Sequence, residues 1–103
     1  MDLGDLESLI EYATVDCYND EECRIGFLTV LRDNIPTPFK AKLGNTNVIV
    51  KKIGGGSREI KAFIQNSKIT CSVDILNLKI EQNVQGYQWV TAYRKWETGK
   101  FFD

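Results

Sequence analysis

Histidine is absent from this 103-residue chain. Its absence removes the commonest general base near neutral pH, the usual zinc partner and any Ser-His or Cys-His nucleophile pairing. Hydrolytic or redox catalysis is therefore not expected, and a non-enzymatic binding role is. Cysteine is scarce: Cys17, Cys23 and Cys71 are scattered and, without histidine, do not compose a zinc site. With an acidic amino terminus that does not read as a secretory signal, the three are expected to be reduced, mostly buried thiols in a cytoplasmic protein. No apolar run approaches the roughly 20 residues of a membrane span, so no membrane partner is expected.

Basic residues are missing from the first twenty-three positions. What stands there instead is acid: Asp2, Asp5, Glu7, Glu11, Asp16, Asp20, Glu21 and Glu22. All thirteen bases and the other six acids follow, so a formal −8 faces +7 from residue 24 onward, inside a net charge of −1. Two causes would account for such segregation. Either a cation is held by the acidic end, or an acidic face docks on something basic, such as the chain's own second half. The length and a 43% apolar content suit one domain with an ordinary core.

Leu6, Leu9, Ile10, Ala13 and Cys17 recur at helical spacing, which predicts an amphipathic helix from Asp5 to about Asp16 with Glu7 and Glu11 toward solvent. Asn19 is a good N-cap for a second helix, with Glu22 three residues on as in a capping box and Asp20 and Glu21 where the helix dipole favours anions. Its buried stripe is Cys23, Phe27, Val30 and Leu31, and Asp33-Asn34-Ile35-Pro36 ends it. From Pro38 the period becomes two. Strands are expected over Phe39–Leu43, Asn47–Ile53, about Arg58–Gln65, Ile69–Ile75 and Leu78–Ile80, with Gly44-Asn45, Gly54–Ser57 and Asn66-Ser67 as turns. Trp89, Tyr93 and Trp96 then recur at helical spacing as core residues. The expected class is α+β in a single domain, 1–103. An acidic helical hairpin (1–35) precedes a small antiparallel SH3-like sheet or barrel (38–80) and a carboxy-terminal helix (85–97).

Carboxylates are densest over Asp16–Glu22, at the corner between the first two helices. Hard cations such as calcium take six to eight oxygens at about 2.3–2.6 Å from carboxylates, amides and backbone carbonyls. The corner offers Asp16, Asn19, Asp20 and Glu21, without the glycine and closing glutamate of an EF-hand loop. Capping alone also accounts for Asn19 to Glu22. Asp33 lies at the end of a helix where the dipole disfavours an acid, and a cation there would convert it into a ligand; Asp-Asn-X-Pro is equally a good turn. The lysines at 40, 42, 51, 52, 61, 68 and 79 fall mostly opposite apolar strand positions, as a solvated face. Nucleic acid is not expected as a partner, given a pI near 5.4 and the acidic end.

The segment Val15 to Leu43 resembles the opening of the small bacterial calcium-binding proteins of the CcbP type, described in cyanobacteria. The resemblance is carried by Val15-Asp16-Cys17-Tyr18, Asp20-Glu21-Glu22, Gly26-Phe27, Leu31-Arg32-Asp33-Asn34 and Pro38-Phe39-Lys40-Ala41-Lys42, in order and spacing. It covers about twenty-nine residues, and the rest matches only as a strand-rich region with a tryptophan-containing end. The resemblance implies calcium binding and buffering through acidic groups, with Asp16, Asp20, Glu21, Glu22 and Asp33 in the matching positions. Arg32 departs from the family pattern and would weaken a cation at Asp33 by repulsion. Calcium at Asp16, Asn19, Asp20, Glu21 and Asp33 is the leading expectation. The alternative is a protein-interaction module or inhibitor that docks a basic partner through its acidic helical face.

Overall fold

The computed structural model describes residues 5–99. Helix α1 (Leu6–Ala13) is capped by Asp5, whose carboxylate accepts from the Ser8 amide at 2.7 Å. Helix α2 (Asp20–Asn34) is capped by Asn19, whose side chain accepts from the Glu22 amide at 2.9 Å. Glu22 reaches back, but to the amide of Tyr18, one residue before the cap, at 2.9 Å. α1 is shorter than its apolar spacing predicts. Thr14 folds its hydroxyl onto the Ile10 carbonyl, and Asp16 takes a left-handed conformation (φ 61°) that reverses the chain before Cys17.

Five antiparallel strands follow: β1 (Phe39–Leu43), β2 (Thr46–Gly55), β3 (Ile60–Gln65), β4 (Thr70–Asp74) and β5 (Leu78–Lys79). They form one sheet in the order β4-β3-β2-β1-β5. The first four are a meander, and a turn of 3-10 helix (Ile75–Asn77) sends the chain back so that β5 pairs with β1. β2 runs further than expected, because Gly54 and Gly55 stay in the ladder against Lys61 and Ile60. A bulge between Val50 and Lys52 interrupts the β2–β3 register and leaves Lys51 and Lys52 both exposed. The α+β class and the curled antiparallel sheet are as expected. Helix α3 (Tyr87–Gly99) is the last element among the described residues.

Period-two alternation decides the sheet's two faces. Ala41, Val48, Val50, Ile53, Ile60, Ala62 and Ile64 point to one side and are buried with Leu9, Phe27, Leu31, Trp89 and Tyr93 from the three helices. The helices therefore cover this inner face, and the lysine-bearing outer face stays wet. Packing of α1 on α2 depends on Gly26, where an added Cβ would lie 2.1 Å from the Ala13 carbonyl oxygen. The expected core stripes of α2 and α3 are inside, with Trp96 half-buried.

The expectation for the cysteines is overturned. Cys17 and Cys23 form a disulfide with Cα atoms 5.4 Å apart. The reversal at Asp16 returns Cys17 to the first turn of α2, whereas a helix continued to Asp16 would carry it away. Cys71 is exposed rather than buried. It pairs with Ile64 on the inner side, but β4 is the edge of the sheet.

Candidate functional site

The acidic corner is the stretch between the last turn of α1 and the first turn of α2, closed on itself by the disulfide. Asp16, Asn19, Asp20 and Glu21 are all exposed there. Asp16 owes its position to its left-handed backbone, and Asp20 and Glu21 to the first turn of α2, where unpaired amides favour anions. The Asn19 oxygen is engaged as the cap. Large apolar side chains lie exposed among these acids: Val15 at 68%, Tyr18 at 90% and Ile25 at 47%.

Asp33 is not part of this corner. It lies thirteen residues along α2 from Asp20, roughly 20 Å at 1.5 Å per residue. Asp33 is exposed beside exposed Arg32, and the Asn34 amide nitrogen donates back to the Val30 carbonyl at 2.8 Å. Among the described residues, no three carboxylates, thiols or imidazoles are grouped to hold a metal ion. The expected ligands thus divide between a corner of separate exposed carboxylates and one distant aspartate. The donor chemistry suits a hard cation, whereas a closed cage is not built.

Part of the acidic segment is neutralised within the chain. Glu7 pairs with Lys95 of α3, and that ammonium group holds its carboxyl below the usual range. The Ser8 amide does the same for Asp5. Glu11, Asp16 and Glu21 extend into solvent.

A buried charge network links α2 to α3, and sequence reasoning missed it. Arg24 is only 8% exposed. Its Nε and Nη2 donate to the two oxygens of Glu97 at 2.9 and 2.8 Å, and Nη1 donates to the Ser57 carbonyl. The guanidinium lies 5.5 Å from the Trp96 ring centroid, and the Tyr93 hydroxyl donates to Glu97 at 2.7 Å. The bidentate bond to Glu97 raises the Arg24 pKa, and burial raises that of Tyr93. Every buried side-chain nitrogen and oxygen among the described residues has a partner. A fully satisfied network of this kind holds helices in place and leaves no group available for proton transfer. One signal was present: Arg24 falls three residues before Phe27 and seven before Leu31, on the apolar stripe.

The outer face of the sheet has the opposite charge. Lys40, Ile49 and Gln65 stand in register across β1, β2 and β3, with Thr70 beyond them on β4. Lys40, Ile49 and Gln65 belong to an open groove of about 670 Å³, also lined by Asn47, Lys51 and Asn66. Lys42 and Lys79 pair across β1 and β5, and the Lys52 ammonium sits 4.8 Å from the Phe63 ring centroid.

No protein-family model, curated protein or solved structure matches this chain. Among the described residues no helix is long and apolar enough to cross a membrane.

Proposed function

We propose that this chain is a non-enzymatic calcium-binding protein whose ion is attracted to the acidic corner, with Asp16, Asn19, Asp20 and Glu21 as oxygen donors. The supporting observation is that three carboxylates and an amide are exposed close together in sequence, Asp16 just before the Cys17–Cys23 bond and Asn19, Asp20 and Glu21 within the loop it closes. Because they do not converge on one point, binding is weak and water completes the shell, as befits a buffer rather than a high-affinity trap. Asp33 offers a separate and weaker position beside Arg32. Titration calorimetry with calcium and magnesium tests the site in wild type and in Asp16→Asn/Asp20→Asn. Heat with calcium that the double substitution abolishes is expected. No heat, or heat unchanged in the variant, overturns the assignment.

The strand order, with a 3-10 turn ahead of β5 and β5 returning to β1, supports reading the sheet as an SH3-like half-barrel. A cytoplasmic setting belongs to the same proposal. Reducing conditions there would open the Cys17–Cys23 bond, so the titration is run on oxidised and reduced protein.

A second reading is favoured by Val15, Tyr18 and Ile25, exposed among the corner's acids. Apolar groups ringed by charge mark a protein-docking surface. In that reading the acidic helical face docks a basic partner.

A further inference from the structure

The acidic corner belongs to the helical layer that packs on the inner side of the sheet, and the sheet lysines stand on its outer side. Lys95, which pairs with Glu7 of the acidic segment, comes from α3 and not from the sheet. Among the described residues, Lys61 is the sheet lysine with an ion pair, to Glu59 at 3.3 Å; Lys52 rests on Phe63. The outer face thus presents Lys40, Lys42, Lys51 and Lys79 without ion pairs among the described residues.

Exposed apolar groups follow the same division. Val15, Tyr18 and Ile25 stand at the corner, whereas Ile49 (41% exposed) lies in the lysine groove and Ile69 (45%) on the adjoining turn. Each charged surface therefore carries its own apolar anchors. Charge complementarity steers an encounter between such surfaces, and burial of the anchors holds it.

We propose that the acidic corner of one copy of this chain docks in the lysine groove of a second copy, head to tail. The proposal rests on the second reading above and identifies the basic partner as the outer sheet face of the same protein. Because the two contacting surfaces differ, each docked copy still offers one free groove and one free corner. Association then continues into rings or chains rather than stopping at a two-fold dimer. Nucleic acid fits the groove less well. All four arginines lie outside the outer face, Lys52 already covers the Phe63 ring, and single-strand recognition relies on open aromatic platforms.

Sedimentation velocity over a concentration series tests this with the oxidised full-length chain. Wild type is expected to form species larger than dimers at low salt. Raising the salt to 1 M, where the Debye length falls to about 3 Å, returns it to monomer. Two variants replace exposed charges by neutral analogues: Lys40→Gln/Lys51→Gln in the groove, and Asp16→Asn/Glu21→Gln at the corner. Each alone is expected to be monomeric, because each lacks one half of the contact. Their equimolar mixture is expected to stop at one-to-one dimers, since a single intact corner and a single intact groove remain to pair. Circular dichroism confirms that both variants fold.

Wild type that stays monomeric at every concentration overturns the proposal, as does a mixture of variants that fails to dimerise. An oligolysine peptide separates this failure from that of the reading beneath it. Peptide bound at the corner by monomeric wild type overturns self-docking and leaves the acidic interaction face standing; no peptide binding overturns both. A labelled oligonucleotide that binds the groove and is lost in Lys40→Gln/Lys51→Gln, with no self-association, assigns the groove to nucleic acid and overturns the proposal.

Discussion

Replacing Arg24 with methionine removes the cation from the α2–α3 network and leaves Glu97 facing an apolar stem. The geometry sets the scale of the loss. Two bonds of 2.9 and 2.8 Å join the pair, a third reaches the Ser57 carbonyl, and the Trp96 ring lies 5.5 Å from the guanidinium carbon. Removing one partner of a fully buried pair costs about 3–5 kcal/mol, mostly because the other charge is stranded. The side chains here are 10% and 17% exposed, so some water reaches Glu97. That access reduces the expected cost to about 2–4 kcal/mol. For a domain of this size the melting temperature should fall by on the order of 10–20 °C. The double variant Arg24→Met/Glu97→Leu removes both charges and should recover most of the loss. It stops short by about 1 kcal/mol, because Tyr93 loses the acceptor of its hydroxyl. Urea denaturation of wild type, both single variants and the double variant closes the cycle. Single variants within about 1 kcal/mol of wild type, or a double variant that costs the sum of the singles, would refute the reasoning.

Gly26→Ala should destabilise by about 1–3 kcal/mol although alanine is the better helix former, because the new methyl would drive α1 off α2 at the Ala13 carbonyl; a stabilised variant in the same urea assay would contradict that packing. Opening the Cys17–Cys23 bond, which spans six residues, should cost ~2 kcal/mol by loop closure. Thermal melts should then show a drop on adding reductant that is absent in Cys17→Ser. At alkaline pH the raised pKa of Tyr93 sets the sign. The folded state keeps the phenolic proton after the unfolded chain has lost it, so this stability is complete below about pH 10 and declines above it. Tyr93→Phe should flatten the alkaline limb of a stability-against-pH curve. At the acid end Asp5 and Glu7 have lowered pKa values, so their contribution is present above about pH 4 and is lost as pH falls through that range. Asp5→Asn should shrink the acid limb.

Local chemistry made much of this molecule readable before folding. Asn19 with Glu22 marked the start of α2, alternation from Phe39 marked β1, and the spacing of Trp89, Tyr93 and Trp96 marked α3. These signals depend on neighbours one to four residues away, so they survive in the linear chain. The misreadings share another origin. The apolar spacing that extended α1 to Asp16 counted Cys17 as core, but the chain reverses at Asp16 and ties Cys17 to Cys23. Cys71 alternates correctly with its strand neighbours, yet it is exposed because β4 is an edge, and edge position belongs to the sheet order. Asp33, expected to serve in the same site as the corner or in another, stands apart from it by the length of α2.

By itself the sequence determined the element types, the two faces of the sheet, the lack of histidine chemistry and the segregation of charge. Those follow from periodicity, capping and composition, each set by short-range physical chemistry. Only the tertiary structure decided that Arg24 meets Glu97 across seventy-three residues, that the acidic corner is tied by a disulfide, and that the helices take the side of the sheet opposite its lysines. Such long-range pairings depend on how the helices cover the inner face of the sheet, and no local pattern specifies that arrangement.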